Sequence, residues 1–68
     1  MALPHLLRAV ELEPSNAGHQ HNLAVAYEQL GRFTDAALCF RKAIELEPTA
    51  KRHREGLAAV LARQNQGH

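Results

Sequence analysis

Residues Ala9–Pro14 read AVELEP and residues Ala43–Pro48 read AIELEP, the same six letters with one Val-to-Ile exchange, 34 positions apart. A period of that length constrains a 68-residue chain more than any other feature, because a recurring unit cannot bury its apolar face alone and must stack on its neighbours. The same shift pairs Ala2 with Ala36, Leu6 with Phe40, Arg8 with Lys42, Val10 with Ile44, and Leu23-Ala24 with Leu57-Ala58. Apolar positions fall on apolar ones and basic on basic, so the period reaches well beyond the quoted letters. The unit is long and varied in composition, which separates it from low-complexity sequence.

Within one period, Leu23, Tyr27 and Leu30 recur at helical spacing, and Phe33, Ala36, Ala37, Phe40, Ala43 and Ile44 do so again. The spacing predicts an all-α chain of four helices, over 3–12, 17–30, 34–46 and 51–64, with a polar tail over 65–68 that frays. Pro14 and Pro48 cannot continue a helix and push the residue before them towards extended backbone, so the chain breaks at each. Ser15 and Asn16 are set to cap the second helix, Gly31 to end it, and Thr34 with Asp35 to cap the third. Connections this short imply an antiparallel helix-turn-helix stack.

Residues 17–50 resemble a tetratricopeptide repeat, whose pattern W-x-x-L-G-x-x-Y, A-x-x-x-F and P appears as Gln20-x-x-Leu23-Ala24-x-x-Tyr27, Ala36-x-x-x-Phe40 and Pro48. Gln20 replaces the aromatic residue and Ala24 the glycine. The resemblance implies an α-solenoid in an unusual phase: residues 2–14 as the second half of a repeat, 17–50 as one complete repeat, and 51–64 as the first half of another.

Chemistry-bearing constellations are few. One cysteine, Cys39, has no partner within the chain and reads as a small apolar residue. There is no nucleophile elbow, Gly-rich phosphate loop or metalloprotease motif, and neither an enzyme nor a cofactor is expected. His19 and His21 are two residues apart, which on a helix points them to different faces, so solvated positions are favoured over a metal site. The basic run Lys51–Arg54 reads as a solvated helix start, with contact to an acidic peptide as the second reading. Eight Lys plus Arg against seven Asp plus Glu leave a net charge of +1, too balanced to point to nucleic acid or a membrane surface. No apolar run approaches the ~20 residues that span a bilayer, and the first residues lack the features of a signal peptide, so a cytoplasmic protein is expected.

In the family that the repeat resembles, the first helix of each repeat lines a concave groove that binds peptides. Carried over, the groove positions are His21, Asn22, Val25, Glu28 and Gln29, with Arg52, Glu55, Ala59 and Arg63 on the last helix; Gly18 and Gly56 fall on the same face. Asn22 and Arg52 match part of the family's carboxylate clamp, but Gly56 stands where that clamp has Arg. The resemblance thus implies a non-catalytic protein-interaction module with a peptide or protein partner. The half-repeat phase gives the alternative, a homo-oligomer joined through Leu3, Leu6, Leu7 and Val10 of the first helix and Leu57, Val60 and Leu61 of the last.

Overall fold

The computed structural model describes residues 3–66, as four α-helices: α1 (Leu3–Leu12), α2 (Ala17–Gln29), α3 (Phe33–Leu46) and α4 (Lys51–Gln66). They form an antiparallel, solenoid-like stack in which α2 packs on α1 and α3, α4 packs on α3, and α2 also touches α4. Ala2 and the last two residues of the expected tail lie outside the described residues.

Local chemistry explains the breaks. Asn16, in extended backbone, accepts the His19 amide hydrogen through its side chain at 3.1 Å, satisfying one of the free donors that open α2. Gly31 takes φ 78°, the left-handed conformation that glycine adopts without a Cβ penalty, and the chain reverses there. Glu47 leaves α3 at φ −136°, ψ 76°, outside the α region that a following proline disfavours. The start of α3 departs from expectation. Its cap is Arg32, which makes no side-chain capping bond, and Asp35 in the first turn pairs with Arg32 at 2.8 Å. Thr34 is thereby released from capping, and its hydroxyl accepts a hydrogen bond from the Gln64 amide at 3.1 Å. That bond anchors the last turns of α4, and helix continues through Gln66 where fraying was expected from residue 65.

The core lies where α2, α3 and α4 meet. Ala24, Ala36, Ala37, Phe40 and Val60 form its centre, with Val25, Tyr27, Phe33, Cys39 and Leu57 packed around them. The alanines let backbones approach, and Phe40, 1% exposed, fills the space between α3 and α4. A Cβ on Gly56 would lie 2.4 Å from Phe40 Cε1, so this glycine is where α4 rests on the ring. Gly56 therefore belongs to the packing face and not to the groove face on which the repeat alignment puts it. Burying a ring of this size stabilises by up to about 3 kcal/mol, a large share of what a domain this small commands.

Two residues expected at a self-association surface are consumed inside the chain. Val60 is 0% exposed in the α3–α4 core and Leu6 is the buried residue of α1 against α2. Leu7 and Leu61 remain exposed at 40% and 36%, while Leu3, Val10 and Leu57 are half-buried.

Candidate functional site

The seam between α2 and α4 collects most of the residues singled out by the repeat alignment. At one end, His21 of α2 meets His53 of α4, Nδ1 to Nδ1, at 2.9 Å. At the other end, Arg63 of α4 donates to Glu28 of α2 at 3.0 Å, with its guanidinium 5.1 Å from the centre of the Phe33 ring. Both contacts join residues on helices that the 34-residue period makes equivalent. Between and beside them, Arg52, Glu55, Ala59 and Arg63 line one stripe of α4 at three- and four-residue spacing, all exposed. On α2, Asn22 and Gln29 are exposed, and His21, Val25 and Glu28 are half-buried.

Charge along this face is largely paired. Glu28 is bound by Arg63, and Arg52 reaches back to Glu47 at 3.4 Å, so neither arginine is a bare cation waiting for a carboxylate. Asn22 and Arg52, the two matches to the family's clamp pattern, are both exposed, and Gly56 faces Phe40. Val25, Asn22 and Gln29 also turn towards α1, where with Leu6 and Ala26 they line a shallow cleft. A neighbouring cleft is lined by Leu3, Ala26, Gln29 and Leu30.

His53 corrects two expectations. It is fully buried although it sits within the basic run Lys51–Arg54, and it makes His21 a packed residue and not a solvated one. Its Nε2 lies 2.8 Å from Glu47 Oε1; an ionised carboxylate only accepts, so His53 carries hydrogen on Nε2 and its Nδ1 faces His21. The His21 ring meets Phe40 edge-on, with centroids 5.2 Å apart. Burial first, then the charge of His53, then that of Arg52, hold the His21 pKa below its usual 6.5. Among the described residues no three His, Cys, Asp or Glu side chains converge as a metal site requires. Cys39 is half-buried, and burial followed by the nearby Asp35 charge pushes its thiol up to about 11, leaving it protonated and weakly nucleophilic at neutral pH.

The signal that could have exposed His53 was in the period itself. The 34-residue shift that superimposes AVELEP on AIELEP also carries Glu13 to Glu47 and His19 to His53. His19 Nε2 indeed lies 2.7 Å from Glu13 Oε1, the same contact six residues apart as His53 makes with Glu47. The glutamate ending each repeated stretch holds a histidine on the helix that follows.

The comparisons with known proteins agree with this architecture. Residues 20–50 match the family model described as tetratricopeptide repeat. The chain is also similar, at 33% identity over 61 residues, to a Petunia hybrida protein described as a probable UDP-N-acetylglucosamine–peptide N-acetylglucosaminyltransferase SPINDLY. That likeness takes in 90% of this chain and 6% of the transferase. Among the described residues no helix is long and apolar enough to cross a membrane. With its helix-turn-helix unit, its Leu23-Ala24-Tyr27 and Ala36-Phe40 packing and the family match, the segment 20–50 is a tetratricopeptide repeat, a unit of protein-interaction scaffolds.

Proposed function

We propose that the α2–α4 face receives an extended segment of a partner protein. The observation that carries this reading is the exposed stripe Arg52, Glu55, Ala59 and Arg63 of α4, tied to α2 by the Arg63–Glu28 and His21–His53 contacts, with Asn22 and Gln29 exposed on the α1 side of α2. Side-chain amides and a mixed-charge stripe suit main-chain carbonyl and amide groups of a peptide, with Ala59 leaving room for close approach. Because Arg52 and Arg63 already have carboxylate partners, acidic peptides must compete with Glu47 and Glu28, and weak binding follows. Titration of a peptide library by calorimetry or fluorescence tests the reading. Asn22→Ala with Ala59→Glu should abolish binding, and unchanged affinity in that double variant would remove the proposal.

A second reading, association between copies, draws on the edges. Ala58 and Leu61 of α4 occupy the repeat positions that Ala24 and Tyr27 hold on α2, and in α2 those positions are covered by α3. On α1, Leu3 and Val10 stand where α3 has Ala37 and Ile44. An α4 laid on the α1 of a second copy would repeat the α2–α3 contact and cover Leu61. Sedimentation at tens of micromolar decides it: Leu61→Glu should turn an oligomer into a monomer, and a monomeric wild-type chain removes this reading.

A further inference from the structure

The histidine pair is a titratable contact that the groove reading leaves unexplained, and its geometry has a definite proton count. Glu47 fixes hydrogen on His53 Nε2, so with both rings neutral a single hydrogen lies between the two facing Nδ1 atoms, on His21. One added proton is accommodated: a doubly protonated His53 donates through Nδ1 to a His21 that carries its hydrogen on Nε2, and the 2.9 Å contact survives. A second added proton places hydrogens on both facing nitrogens and a positive charge on both rings. The contact then becomes repulsive, in a place where His53 is fully buried and cannot turn to water.

We infer that the His21–His53 contact is a proton-operated latch on the α2–α4 seam, closed by one shared hydrogen and opened when both rings are protonated. The groups that act on it come from each element packed around it. His53 and Arg52 of α4 add positive charge near His21, Glu47 in the α3–α4 turn offsets it through His53, and α3 contributes the uncharged Phe40 ring. When the latch opens, the first turns of α4 swing away from α2, while Val60 and Gln64 hold the rest of α4 on α3. The device stands whether or not the face binds a peptide.

The sign follows from linkage. Burial and neighbouring charge lower His21 in the folded chain, so the unfolded chain takes up its proton first. The stability present above the ordinary 6.5 is lost as pH falls through that value, and the loss levels off below the folded pKa.

Imidazole and amide NMR of the whole chain from pH ~8 to ~4.5, the range in which histidine titrates, tests the latch. The expected result is a His21 titration below 6.5 that also moves the His53 ring signals and is accompanied by loss of amide protection in residues 51–57 but not in α3. Independent titration of the two rings overturns the inference, as does simultaneous opening of α3. His21→Phe should abolish the α4 response, and a wild-type response in that variant also overturns it. His19→Gln, which alters the equivalent histidine outside the pair, should leave the response in place, and its loss would count against the latch. Should His21→Phe fail to fold, the wild-type titration alone decides.

Discussion

The α1–α2 junction and the α3–α4 junction are the same junction written twice, yet they are packed to different degrees. Where α3–α4 places Phe40, Gly56, Val60 and a buried His53, the shift of 34 places Leu6, Asn22, Ala26 and a half-exposed His19. Leu for Phe and Ala for Val remove volume, and Asn for Gly keeps a side chain where a ring would otherwise rest. The missing volume is visible as the cleft lined by Leu6, Asn22, Val25, Ala26 and Gln29. A repeat thus fixes the path of the backbone without fixing the quality of the packing, which depends on individual volumes at facing positions.

Truncating Phe40 and Leu6, the central residues of the two junctions, has the largest expected effect. Phe40→Ala should cost about 3–5 kcal/mol, enough to unfold a domain of this size, while Leu6→Ala at the looser junction should cost about 2 kcal/mol; urea denaturation followed by circular dichroism measures both. Equal losses would mean that the two junctions carry the same load.

The glycine comes next. Gly56→Ala brings a Cβ within 2.4 Å of Phe40, and overpacking should cost about 1–3 kcal/mol, reduced by up to about 1 kcal/mol through alanine's better helix propensity. Asn22→Ala, its counterpart, should stay within about 0.5 kcal/mol. Thermal unfolding of both variants side by side checks this, and a neutral Gly56→Ala would mean that the α3–α4 junction is not tightly packed at the ring.

The two glutamates should differ in the same sense. Glu47→Ala strands the buried Nε2–H of His53 and should cost about 1–2 kcal/mol, whereas Glu13→Ala at the half-exposed His19 should cost less than about 0.5 kcal/mol. One substitution should be a gain: Ala26→Val, copying Val60 into the cleft, should stabilise by about 0.5–1 kcal/mol, and a denaturation midpoint that does not rise would show that volume is not what the first junction lacks.

Much of this was legible in the sequence because it depends on local chemistry. The prolines at 14 and 48, Asn16 as a cap and Gly31 at positive φ each act through their own backbone, and the helix ends fall within about two residues of expectation. The groove positions were legible only through the repeat alignment, which says which face a residue occupies but not what its side chain meets. Gly56 shows the limit: alignment placed it on the groove face, and the Phe40 ring claims it for the core. Thr34 shows another, since its hydroxyl serves α4, thirty residues on, and not the helix it begins.

Propensity, capping and proline geometry act over a few residues, so the period, the four helices, their breaks and their antiparallel order are written in the chain before it folds. The burial of His53, its contact with His21 and the pairing of Arg63 with Glu28 arise from helix packing alone. Those depend on how closely two helices 34 residues apart approach, and that distance is set by the combined volumes of Phe40, Val60 and Gly56 between them.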